Sequence, residues 1–135
     1  MQAGNILPSF KAKFDGHSTS EEVLRDVDLS GKRYIVTGAS TGLGFYSAKM
    51  IAAKGGKVMI TARSADRARE TIKSLKEELG SEIDADAFDF LVMDQMDLVQ
   101  VKAAAEDFLS KNCQLDGLLL NAGWFGSEYK LSGSV

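Results

Sequence analysis

Apolar residues in this chain fall into four short runs separated by three longer stretches in which they recur every three or four positions. The runs are Arg33-Tyr34-Ile35-Val36-Thr37, then residues 57–62, 88–93 and 115–120. Short, β-branched or nearly all-apolar runs of this kind read as buried strands. The stretches between them carry helix signals. Gly44, Ala48, Ile51, Ala52 and Gly55 continue one face at helical spacing, and Gly55-Gly56 closes that helix. Ser64 caps the next, with Ala68, Ile72, Leu75 and Leu79 as its buried stripe and Gly80 as its stop. Asp97 caps a third, whose inner face reads as Leu98, Val101, Ala105 and Phe108.

The resulting order is β-α-β-α-β-α-β. Crossovers of this kind are right-handed and generate a parallel sheet, and the almost wholly apolar run 115–120 fits a strand covered on both faces. The expected fold is therefore an α/β sandwich around a parallel sheet, and the family resemblance set out below implies a Rossmann-type three-layer α/β/α sandwich with strand order 3-2-1-4, truncated after its fourth strand. Residues 1–30 read as an arm with one short helix, for which Thr19 and Glu22 form a capping box. Residues 31–123 form the half-domain, and 124–135 a short irregular tail.

Between the first strand and its helix lies Thr37-Gly38-Ala39-Ser40-Thr41-Gly42-Leu43-Gly44. A glycine-rich turn from strand to helix presents unpaired backbone N–H groups at the positive end of the helix dipole, a site for phosphate or pyrophosphate. In the G-x-x-x-G-x-G spacing Gly38 turns the chain out of the strand. Gly42 clears the approach of a pyrophosphate, and Gly44 lets helix and sheet come close. A ligand-free turn would use the same residue types.

Three further positions follow strand ends. Arg63 stands just past the second strand, about 20 residues beyond the last glycine, where a dinucleotide fold reads the adenosine ribose. A carboxylate there suits the 2′-hydroxyl of NAD, whereas a guanidinium fork suits the 2′-phosphate of NADP. Ser40 and Thr41 offer hydroxyls to the same phosphate. Asp94, after the third strand, is placed to accept from an adenine amino group. Asn121-Ala122-Gly123 ends the fourth strand, with Asn to tie strand ends and two small residues to leave room for a ribose. Each has a plainer reading as well: a surface arginine or a turn residue.

Taken in order, the glycine loop, the Ala62-Arg63 pair, Asp94 and Asn121-Ala122-Gly123 resemble the short-chain dehydrogenase/reductase family over residues 31–123. Phe14-Asp15-Gly16 and Asp28-Leu29-Ser30-Gly31-Lys32 look like its retinol dehydrogenase and WW-domain oxidoreductase branch. Protochlorophyllide reductase is another similar branch, but no plastid transit peptide is evident. The resemblance implies hydride transfer between NADP(H), preferred over NADH, and a carbonyl or alcohol carbon. It assigns the cofactor to Gly38, Ser40, Thr41, Gly42, Leu43, Gly44, Arg63, Asp94, Asn121, Ala122 and Gly123.

The family's catalytic groups are a Ser and a Tyr-x-x-x-Lys pair, whose spacing puts the Lys charge beside the Tyr hydroxyl on one helix face. Four residues beyond Tyr34, Tyr46 and Tyr129 lie Gly38, Met50 and Gly133, so the chain contains no such pair. Tyr46/Lys49 and Tyr129-Lys130 have the wrong spacing. The expectation is a cofactor half without its catalytic half, with Leu118, Leu119 and Leu120 on an edge strand prone to self-association. The alternative is a non-catalytic dinucleotide-binding or interaction module.

Composition narrows this further. At 135 residues, 44% hydrophobic and 26% charged, the chain is an ordinary single globular domain. A net charge of −3, with basic residues scattered among acids, leaves no footprint for nucleic acid. One cysteine, Cys113, forms neither an intrachain disulfide nor a cysteine-rich metal site, as in a reducing, cytoplasmic setting. No apolar run approaches the ~18 residues needed to span a bilayer. His17, the one histidine, reads as solvated.

Overall fold

The computed structural model describes residues 13–81, 83–111, 114–123 and 126. Thr19 opens α1 (Ser20–Val23) through both bonds of the capping box, its hydroxyl accepting the Glu22 amide at 3.2 Å and its own amide reaching the Glu22 carboxylate at 3.0 Å. Then β1 (Arg33–Val36), α2 (Gly42–Ala53), β2 (Lys57–Ala62), α3 (Ala65–Leu79), β3 (Phe88–Val92), α4 (Leu98–Ser110) and β4 (Gly117–Leu119) alternate along the chain. The four strands form one parallel sheet in the order β3-β2-β1-β4, in keeping with right-handed crossovers.

Alternation along the strands divides the core between two faces. Val36, Val58, Ile60 and Phe88 point to the face covered by α2 and α3, where Phe45, Ala48, Ile51, Ala68 and Leu75 meet them. Ile35, Met59 and Leu91 point the other way, against Ala104 and Phe108 of α4. Ser64 caps α3 by accepting the Arg67 amide, and the Asp97 carboxylate caps α4 by accepting the amides of Val99 and Gln100. Residue types strong in capping thus fix where both helices begin.

Two expectations are corrected in detail. The buried stripe of α4 is Ala104 and Phe108, one helical turn apart, with Val101 half-buried. Ala105 is exposed and Leu98 is 62% exposed, because α4 meets Ile35, Met59 and Leu91 through a narrow apolar seam of Ala104 and Phe108. β4 is shorter than the run 115–120. Its pairing with β1 covers Tyr34–Val36 only, opposite Gly117, Leu118 and Leu119. Gly117 fits because a Cβ there would lie 2.6 Å from the Tyr34 ring.

β4 is an edge strand, and its two sides differ. Leu119 packs under α2 and α3, whereas Leu118 is 52% and Leu120 77% exposed on the α4 side. Among the described residues no helix is long and apolar enough to cross a membrane.

Candidate functional site

In a parallel sheet every strand ends on the same edge, and the loops that follow those ends surround any ligand bound there. Here that edge gathers Thr37 and Gly38 after β1, Arg63 after β2, Asp94 after β3, and Asn121 after β4. The Met93 amide still donates to the Ala62 carbonyl at 2.9 Å, so Arg63 and Asp94 leave neighbouring strands side by side.

The loop after β1 is held to β4 by side-chain bonds. Asn121 Nδ2 donates to the carbonyl oxygens of Thr37 at 3.0 Å and Gly38 at 3.2 Å. The Thr37 hydroxyl accepts the Ala122 amide at 3.0 Å and donates to the Leu119 carbonyl at 3.3 Å. Thr37 is 2% exposed, so this hydroxyl belongs to the frame of the site and does not face a ligand. It was not among the residues assigned from sequence. A threonine at a strand end looks like any β-branched strand residue until its partners are known.

The glycines divide the labour. Gly38 has φ +66, and a Cβ on it would fall 2.7 Å from the Ala122 Cα. Ala122 therefore packs against the loop, while Gly123 has open space around it. A Cβ on Gly44 would overlap the Gly38 carbonyl oxygen and lie 2.5 Å from Asn121 Nδ2, so only glycine lets the first turn of α2 rest on the loop. Gly42, at φ +61, has nothing within 4 Å of its missing side chain. The space beside it is open to solvent.

The amino end of α2 differs from those of α3 and α4. Thr41 occupies the N-cap position in extended conformation, yet its side chain makes no capping bond. The helix dipole and the first-turn amides are thus left for an external acceptor. Ser40, Thr41 and Leu43 around it are exposed, Leu43 to 81%. This donor set, an uncapped helix end beside a bare backbone at Gly42, fits the pyrophosphate of a dinucleotide.

Arg63 is exposed and forms no ion pair among the described residues. Asp94 is half-buried. Its Oδ1 accepts the Met96 amide at 2.9 Å, and its own amide donates to Gln100 Oε1 at 3.0 Å, so the turn that Asp favours also orients its carboxylate. Tyr46 and Lys49 lie on α2. The Lys49 ammonium sits 5.8 Å from the Tyr46 ring centre and binds Glu78 of α3 at 2.7 Å, a bond that raises the Lys49 pKa. Tyr129-Lys130 and Cys113 lie outside the described residues.

Comparison with known proteins places this edge in a family. The family profile described as short chain dehydrogenase matches residues 32–133. The WW domain-containing oxidoreductase of Gallus gallus is 37% identical over 126 residues, which are 93% of this chain and 29% of that protein. The short-chain dehydrogenase/reductase drtF of Aspergillus calidoustus is 44% identical over 105 residues, 78% of this chain and 32% of its own. The chain thus spans about a third of the length of these relatives. Among solved structures, the N-domain of a bacterial malonyl-CoA reductase with NADP superposes with a TM-score of 0.64 at 30% identity, over 71% of this chain and 17% of that one. L-sorbose reductase from Gluconobacter frateurii, complexed with NADPH and L-sorbose, gives 0.61 at 31% identity over 82% and 40%. With profile, relatives and sheet order in agreement, this chain belongs to the short-chain dehydrogenase/reductase family and carries its Rossmann-type cofactor fold.

Proposed function

We propose that the carboxyl edge binds NADP(H), and that the chain is the cofactor-binding part of an NADP-dependent oxidoreductase acting on a carbonyl or alcohol carbon. The observation that carries the preference for NADP is Arg63: an exposed guanidinium, without a carboxylate partner among the described residues, on the rim shared with the glycine loop. In this reading the amides at Gly42, Leu43 and Gly44 hold the pyrophosphate, and Ser40, Thr41 and Arg63 take the 2′-phosphate. Asp94 accepts from the adenine amino group, and Asn121, Ala122 and Gly123 border the ribose.

The bound cofactor supplies or accepts the hydride; the residues present bind and orient it. Two similar folds, those of malonyl-CoA reductase and L-sorbose reductase, have been solved with NADP or NADPH. No Tyr-x-x-x-Lys pair occurs in the 135 residues, so proton transfer to a substrate is not assigned to any side chain here. The single cysteine supports a reducing, cytoplasmic location.

Titration of NADPH and NADH into the purified chain tests the reading. NADPH is expected to bind at least about tenfold more tightly, the worth of one charge-assisted phosphate contact. Arg63→Asp reverses the preference. Binding of neither nucleotide, or a preference for NADH in the parent chain, overturns it.

A further inference from the structure

The two edges of the sheet are built differently: β4 lies open, whereas on β3 an outward amide is already taken. Along a parallel strand alternate residues bond the neighbour, and those between them turn their backbone groups away. The Val58 amide donates to the Ala87 carbonyl at 2.8 Å and the Met93 amide to the Ala62 carbonyl at 2.9 Å, so residues 87, 89, 91 and 93 face β2. Phe88, Phe90 and Val92 therefore present their backbone groups outward, where no further strand pairs with them among the described residues. The Phe90 amide, at the middle of this edge, donates to Asp89 Oδ1 at 2.8 Å.

The carboxylate is held in its turn. Asp89 Oδ2 lies 3.7 Å from the ammonium of Lys111 at the end of α4, and Lys111 also pairs with Asp107 at 3.3 Å. On the other face of the strand Arg69, bound to Asp66, lies 5.7 Å from the centre of the Phe90 ring. The strand so flanked is Phe88-Asp89-Phe90-Leu91-Val92, aromatic or aliphatic at every position but one. Segments of that composition pair readily with copies of themselves when an edge is exposed, and a charge within them is what prevents it. Asp89 is that charge, and with a 52% exposed side chain it stands outside both core clusters.

We propose that Asp89 closes the β3 edge to a second copy of this chain. A strand added there needs the outward groups of Phe88, Phe90 and Val92 together, and the central amide is held by a carboxylate that Lys111 keeps in place. The consequence is directional. Copies that meet through β4 pair like edge with like edge and close as a two-fold pair, whereas β4 against β3, which would repeat without end, is barred. None of this depends on nucleotide binding.

Amide exchange and sedimentation of the full chain test the proposal, in a background whose other edge carries Leu118→Lys and Leu120→Lys. In dilute solution, before copies meet, Asp89→Ala is expected to speed exchange of the Phe90 amide at least about tenfold, the worth of one hydrogen bond to a charged group, and to leave the Val58 and Met93 amides unchanged. At higher concentration its average mass should climb toward about twice that of the monomer, while the background stays monomeric. Asp89→Asn keeps an oxygen for the amide but not the charge for Lys111, and should fall between the two. If Asp89→Ala does not fold, Asp89→Asn is judged by the same readings. Phe90 exchange as slow in the variant as in its background overturns the proposal, and so does a fast Phe90 amide in a variant that stays monomeric. If Val58 and Met93 speed up as much as Phe90, the substitution acts on the whole sheet and the proposal fails.

Discussion

The Thr37 hydroxyl accepts the Ala122 amide at 3.0 Å, so the ends of β1 and β4 are closed by one buried side-chain oxygen beyond the last backbone pair of the two strands. The same oxygen donates to Leu119, which already accepts the Thr37 amide. Thr37→Val keeps the shape and removes both bonds, leaving a half-buried amide without an acceptor. We expect a loss of about 1–3 kcal/mol, the cost of an unsatisfied polar group, seen as a lower chemical-denaturation midpoint. Nucleotide affinity should fall as well, because the glycine loop loses its tie to β4. Unchanged stability in Thr37→Val would show that the hydroxyl is dispensable.

The glycine loop offers a paired comparison. Gly44→Ala drives a methyl into the Gly38 carbonyl oxygen, a contact with backbone that no rotamer relieves. The first turn of α2 must lift off the loop, at a cost of about 1–3 kcal/mol for overpacking, and nucleotide binding should be lost. Gly42→Ala meets no atom within 4 Å, but it places a Cβ at φ +61, which costs about 1–2 kcal/mol through the backbone alone. Thermal melts and NADPH titration of both variants check this. Equal behaviour of the two would mean that the close packing around Gly44 does not hold the helix.

How much of this was legible beforehand depended on whether local chemistry or the reach of the sheet decided each feature. Ser64 and Asp97 announced their helices because capping is decided within four residues. The parallel sheet followed from alternating strands and helices, and its order from the resemblance to the family. The inner face of α4 did not: Ala104 and Ala105 are equivalent in composition, and only the position of α4 over β3 chooses between them. Along the carboxyl edge, the position of the glycines in the turn into α2 and of Arg63 just after β2 could be read from spacing. Thr37 could not, since its role depends on where β4 ends.

Asp116 is one carboxylate through which folding is linked to acid. Its carboxylate accepts the Arg33 amide at 2.9 Å, and the Lys32 ammonium at 3.3 Å and Gln114 at 3.1 Å add to it, anchoring the start of β1 to the turn before β4. The Arg33 amide foremost, then Lys32 and Gln114, hold its pKa below the ordinary 3.8, against the opposing effect of burial. A carboxyl whose pKa is depressed by folding stabilises the fold fully above the unfolded value. That contribution disappears as pH falls from about 4 through the lower folded value. Asp116→Asn should therefore lower the melting temperature at neutral pH and flatten its decline below about pH 4. A decline as steep as in the parent chain would assign acid sensitivity to other carboxylates, such as Asp28 and Asp86, whose pKa values are also lowered.

The exposed side of β4 gives a prediction for the chain in solution. Among the described residues Gly117–Leu119 presents an unpaired backbone edge, and beside it Leu118 and Leu120 expose 52% and 77% of their surface on the α4 side of the sheet. Edge strands in stable monomers are blunted by charge, proline or a covering element. The described part of this edge has none of these, since the nearby Asp116 carboxylate is turned inward to Arg33. Self-association through β4 is the expected consequence, with sedimentation that depends on concentration across the micromolar range. Leu118→Lys combined with Leu120→Lys places two like charges on the edge and should give a monomer. It should leave the Thr37–Ala122 tie, and hence NADPH affinity, in place. A parent chain that sediments as a monomer throughout, with a single cooperative melt, would show that this edge is quiet despite its composition.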